Sequence, residues 1–81
     1  MIDYLNLKNC YITAVQAGLA LTDYEKAKQG NTLINKFCES CIDSSNYNEL
    51  EKQKMKCDLL LTKESLSKEI EYYYHGDNTI D

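Results

Sequence analysis

The sequence predicts an all-α protein, a small antiparallel bundle of three helices, or of four if the last one breaks. Three observations predict it. Apolar residues recur at helical spacing along almost the whole chain, and no strand-like alternation of useful length competes with them. Proline is absent and glycine numbers 3, so little interrupts a helix. Two short polar breaks, each followed by a capping signal, divide the pattern into three. The 81 residues make one domain, expected over 1–76, with Asp77–Asp81 as a frayed tail.

The first helix is expected over 4–21, with Asp3 as its N-cap. Tyr4, Leu7, Tyr11, Ala14, Gly18 and Leu21 follow an a/d spacing, and Leu5, Ile12, Val15 and Leu19 widen the stripe. A helix this apolar is expected to be covered on two sides. Ala14, Ala17 and Gly18 would let a neighbouring backbone come close.

Thr22-Asp23-Tyr24-Glu25 reads as a capping box and starts the second helix at about 23, running to about 42. Tyr24, Ala27, Gly30, Leu33, Ile34, Phe37, Cys38, Cys41 and Ile42 share one half of its wheel. Gly30 marks either a close crossing or a break, since a mid-helix glycine costs up to about 1 kcal/mol relative to alanine.

Asp43-Ser44-Ser45-Asn46 is a polar turn, with Asn46 and Glu49 repeating the cap logic. The third stretch covers 47–75, with Gly76 placed as a left-handed C′ residue. It carries two apolar faces roughly 150° apart at about 100° per residue. One holds Tyr47, Leu50, Cys57 and Leu61. The other holds Met55, Leu59, Leu66, Ile70 and Tyr73. Either the chain breaks at Thr62, with Leu61 and Leu66 stapling a new N-cap, or the helix is continuous and its second half, with Leu66 and Ile70, packs on something other than its own bundle. A single core this small rarely yields more than about 3–5 kcal/mol. Completion of the bundle by a second chain is therefore expected, a homo-oligomer with a dimer favoured, or a protein target.

Composition excludes several classes. Nine Lys, no Arg and a formal charge of −4 do not make the basic footprint of a nucleic-acid binder. The longest uncharged stretch, Asn9–Thr22, is about two-thirds of the roughly 20 residues that a membrane span needs. A secretory leader is not expected, because Asp3 stands where its positive charge belongs. The expected location is the cytoplasm, where the four cysteines stay reduced.

No cofactor, metal or enzymatic activity is expected. Cys38 and Cys41 form a CxxC pair inside an amphipathic helix, where free cysteines behave as small core hydrophobes. A zinc-stabilised regulatory module using Cys38, Cys41 and Cys57, completed by Cys10 or His75, is the alternative. His75, the single histidine, suits a helix C-terminus. No nucleophile motif or phosphate loop accompanies it.

Tyr72-Tyr73-Tyr74 is the most unusual segment. Three consecutive helical residues point about 100° apart, so one can face a core while two stay half exposed. Tyrosine is enriched in binding hot spots. Leu66, Ile70, Tyr72, Tyr73 and Tyr74 are the expected interface. The expected role is a non-catalytic modulator that occludes or bridges a partner protein. A nucleotide-type ligand at an oligomer seam is a further alternative. Amino acids with AT-rich codons (Phe, Tyr, Met, Ile, Asn, Lys) supply 32 of 81 residues, which suits a low-GC genome and a phage or mobile-element inhibitor of a host factor.

Overall fold

A computed structural model describes residues 3–76. Three helices lie among them: α1 (Tyr4–Gly18), α2 (Tyr24–Asp43) and α3 (Glu49–His75). No strand occurs among the described residues. The expected tail, Asp77–Asp81, lies outside them.

Each helix begins on a side-chain cap that removes one orphan backbone N–H. Asp3 accepts from the Leu5 amide at 3.1 Å, and Asp23 accepts from the Lys26 amide at 2.8 Å. Asp23 rather than Thr22 is therefore the cap of α2. At α3 the reciprocal box forms between Asn48 and Glu51, two residues after the expected Asn46–Glu49 pair. Ser45 displaces that register: its backbone N–H and its hydroxyl both donate to the Ile42 carbonyl and extend the turn.

Three expectations are corrected. First, α1 ends at Gly18 rather than at residue 21, and the Leu21 amide closes a turn onto the Gly18 carbonyl. Second, α3 does not break at Thr62. The Thr62 hydroxyl donates to the Asp58 carbonyl at 2.9 Å, one turn back inside a continuous 27-residue helix. Third, Gly76 has φ −56° and so is not a left-handed terminator.

The topology is up-down-up. α1 runs parallel to α3, with Tyr4 beside Met55 and Asp58, and Gln16 beside Glu69. α2 runs antiparallel to α3, with Tyr24 at Glu71 and Asp43 at Lys56. Lys52 and Lys56 both reach Asp43, which offsets its unfavourable place at a helix C-terminus.

The core consists of Tyr11 and Val15 from α1, Ala27, Cys38 and Ile42 from α2, and Leu59, Leu66 and Ile70 from α3. Leu66 and Ile70 are 2% and 0% exposed. Of the two faces on α3, the inward one is therefore Met55–Leu59–Leu66–Ile70. The outward one retains Leu50, Cys57 and Leu61.

α2 is turned by roughly half a residue step (about 50°) from the centre of its apolar arc. Leu33 and Phe37 consequently face solvent, while Asn31 and Asn35 are buried. Their partners explain the rotation. The Asn31 amide donates to the Lys63 carbonyl at 3.1 Å and to the Ser67 hydroxyl at 3.2 Å, and its oxygen accepts from the Tyr11 hydroxyl. The Asn35 amide donates to the Leu59 carbonyl at 3.0 Å. Buried polar groups are tolerated when all are paired, and no buried side-chain N or O among the described residues lacks a partner.

Gly30 neither breaks α2 nor marks a tight crossing. A Cβ built at Gly30, or at Gly18 opposite, meets nothing within 4 Å. An open recess of about 160 Å³ lies over both glycines.

Candidate functional site

A broad open recess lies at the end of the bundle where α1 stops, α2 starts and α3 finishes. α3 needs about 40 Å at 1.5 Å per residue, whereas α1 needs only about 22 Å. Gln16 lies at Glu69 and the Leu19 carbonyl at Tyr74, so part of this surplus precedes Met55 and α1 stops beside the last turn of α3. The result is a recess of about 760 Å³ whose walls include Leu19, Ser65, Lys68, Glu69, Tyr72 and Tyr73.

The tyrosine triplet divides its work as helical geometry requires. Tyr74 turns inward, and its hydroxyl donates to the Leu19 carbonyl at 2.7 Å and to the Thr22 carbonyl at 3.0 Å. These two carbonyls belong to the α1–α2 turn, so Tyr74 clamps that turn to the end of α3. Tyr72 and Tyr73 are 73% and 53% exposed. Tyr72 forms a ridge with the large recess on one side and a smaller one, about 360 Å³, on the other.

The rings behind the site hold it in place. Tyr73 meets Tyr74 edge-on at 4.9 Å, Tyr24 meets Tyr74 at 5.9 Å, and His75 meets Tyr24 at 4.5 Å. The Tyr24 hydroxyl donates to Glu71, and Lys28 Nζ sits 4.3 Å from the centre of the Tyr24 ring. The Glu71 hydrogen bond, with desolvation and the Glu71 charge, pushes the Tyr24 phenol pKa up. Burial, followed by the neighbouring Tyr73 phenol and the Asp23 carboxylate, pushes Tyr74 up. Both phenols thus remain neutral donors at physiological pH.

No family model, curated protein or solved structure matches this chain.

Of the five residues expected to form an interface, the structure brings Tyr72, Tyr73 and Tyr74 to this recess. It withdraws Leu66 and Ile70, which α1 and α2 cover completely. The cysteines are dispersed: Cys38 is in the core, Cys41 half-buried, and Cys10 and Cys57 exposed. Burial, then the Cys41 and Cys10 thiols, pushes the Cys38 thiol pKa up. Cys57 lies on the outward face of α3, so the Cys38/Cys41/Cys57 set is not assembled. Among the described residues no three His, Cys, Asp or Glu side chains are grouped to hold a metal ion. No helix among them is long and apolar enough to cross a membrane.

Lys68, Glu69 and Leu19 line the recess without having been expected there. Lys68 and Glu69 read as ordinary helix-surface charges. Their role follows from where α1 ends, and the one local signal is Gly18 just before Leu19, with Asp23 capping α2 beyond it.

Proposed function

We propose that this protein is a non-catalytic binding module that docks a partner protein in the Tyr72/Tyr73 recess, thereby occluding or bridging it. One observation carries the reading: two exposed phenol rings border an open recess at a helix end that Tyr74 and Tyr24 brace. Tyrosine loses few rotors on binding, offers a large apolar ring and keeps a polar tip. Because Tyr73 already packs edge-on against Tyr74, its docking avoids part of the ordering cost that flexible side chains incur. Lys68 and Glu69 supply a polar rim of mixed sign.

A cytoplasmic setting belongs to the same proposal, since all four cysteines are free. The phage or mobile-element setting rests on residue composition alone.

The test is quantitative capture from cells of a low-GC bacterium, comparing the wild-type chain with the Tyr72→Ala/Tyr73→Ala variant. Both side chains are largely exposed, so the helical circular-dichroism signal should be the same in the two proteins. The proposal requires a stoichiometric protein that the wild type retains and the variant loses. Equal retention of every captured protein would contradict it.

A further inference from the structure

The outward face of α3 carries a second pattern, which shares only Lys68 with the recess. Leu50, Lys54, Cys57, Leu61, Glu64 and Lys68 follow alternating steps of four and three residues, the a/d spacing of a coiled-coil seam. They fall within roughly 80° of arc at about 100° per residue, opposite the buried Leu59 and Leu66. Leu50 is 63% exposed, Leu61 65%, and Leu60, on the flank, 51%. Neither α1 nor α2 covers this line.

We propose that this seam joins two copies of the chain, with their α3 helices antiparallel. Charge placement selects both the occupant and the direction. Antiparallel coiled coils set each a position against a d position of the other helix. With the twofold axis midway between Cys57 and Leu61, Cys57 of each copy meets Leu61 of the other. On either side, Lys54 then meets the second copy's Glu64. A parallel in-register pair would instead stack Lys54 on Lys54 and Glu64 on Glu64. Neither Lys54 nor Glu64 has an ion-pair partner among the described residues of its own chain. Leu60 flanks the axis and meets its own copy there. Asp58 flanks the axis on the other side. Its charge is already engaged, because it accepts from the Tyr4 hydroxyl and pairs with Lys8 at 3.0 Å. The self-contact thus has Cys57, Leu60 and Leu61 at its centre, a Lys54–Glu64 pair on either side, and Leu50 against the apolar stem of the second copy's Lys68 at each end.

The paired stretch, Leu50 to Lys68, is about 27 Å long. That places the contact at the small end of specific interfaces, so the dimer is reversible and concentration-dependent. The two Tyr72/Tyr73 recesses adjoin the paired stretch at its opposite ends, where Lys68 belongs to both, with their Tyr72 positions about 39 Å apart along the seam at 1.5 Å per residue. Such a dimer could bridge two partner molecules. The pairing itself rests only on the seam, and its test reads mass rather than partner capture, so the two proposals fail separately.

The experiment is sedimentation equilibrium of the full chain under reducing conditions, from about 5 to about 500 μM, a range that brackets micromolar affinities. The wild type should pass from monomer to dimer across it. Leu61→Lys, at an exposed position, should remain monomeric with an unchanged circular-dichroism spectrum. Lys54→Glu and Glu64→Lys should each weaken dimerisation about tenfold or more, by setting like charges together. The double variant Lys54→Glu/Glu64→Lys should recover it. A wild type that is monomeric at the highest concentration overturns the proposal. So does a dimer that ignores both single swaps, or one that the double swap does not rescue.

Discussion

Asn31→Ala is the most demanding perturbation of the fold. Asn31 is 1% exposed and joins all three helices: Tyr11 of α1 donates to it, and it donates to Lys63 and Ser67 of α3. Truncation removes these bonds, each worth a net ~0.5–1.5 kcal/mol. It also removes the side-chain acceptor of the Tyr11 hydroxyl, in a residue 1% exposed, which keeps a 3.3 Å contact to the Asn31 carbonyl and the Asn35 side chain beside it. Weakening a buried hydroxyl's bonding adds to the loss, up to the roughly 1–3 kcal/mol of a fully stranded group. The expected loss is therefore about 3 kcal/mol, against a total of about 3–5 kcal/mol for a core of this size. Urea titration followed by circular dichroism should show the midpoint falling by more than half. The double-mutant cycle with Tyr11→Phe sharpens the test. Once Asn31 is gone the hydroxyl is a liability, so removing it should recover about 1–2 kcal/mol of coupling. A loss below about 0.5 kcal/mol for Asn31→Ala, with no coupling to Tyr11→Phe, would refute the reasoning that Asn31 organises the bundle.

Gly30→Ala should stabilise the protein by up to about 1 kcal/mol, because the methyl meets open space and the helix entropy penalty disappears. Thermal melts should rise by about 4–8 °C per kcal/mol for a domain of this size; an unchanged or lower midpoint contradicts the open α1–α2 crossing. Stability should fall as pH rises above about 10. The unfolded chain releases its phenol protons there, whereas Tyr4 and Tyr11 hold theirs: burial, with Asp58 beside Tyr4, raises both pKa values. Phenolate absorbance should accordingly lag in the native protein and catch up on unfolding. At the acid end, the hydrogen bond from Tyr4 and the one from Lys8 depress the Asp58 pKa. Its contribution is present above the ordinary carboxylate range and lost as pH falls through the lower folded value. Asp58→Asn should flatten the urea-midpoint profile in that acid window and leave its shape near neutrality unchanged.

The three helices were legible in the sequence because their signals are local. Asp3, the Thr22–Glu25 segment and the Asn46–Glu49 segment each announce a start within two residues of the cap that forms. The two faces of α3 were legible too, as Leu50–Cys57–Leu61 and Leu59–Leu66–Ile70. Which face turns inward was not legible, because it depends on where α1 and α2 lie. The orientation of α2 was hidden for a related reason. Counting apolar residues favours Leu33 and Phe37 as core, yet Asn31 and Asn35 occupy it, since their partners are carbonyls and hydroxyls of α1 and α3. A pattern within one helix holds no record of those partners. At the candidate site, the tyrosine triplet showed in the sequence, whereas the recess beside it arises from the early end of α1 at Gly18.

The central claim is an orientation: Cys38 and Leu59 inside, Cys57 and Leu61 outside. Residue-resolved alkylation of the native, dilute, reduced protein tests it most directly, with each cysteine read by mass spectrometry. Cys57 and Cys10 should react nearly as fast as in the urea-unfolded chain, Cys41 should lag, and Cys38 should react only when the bundle opens. Rapid modification of Cys38 alongside a protected Cys57 would contradict the account.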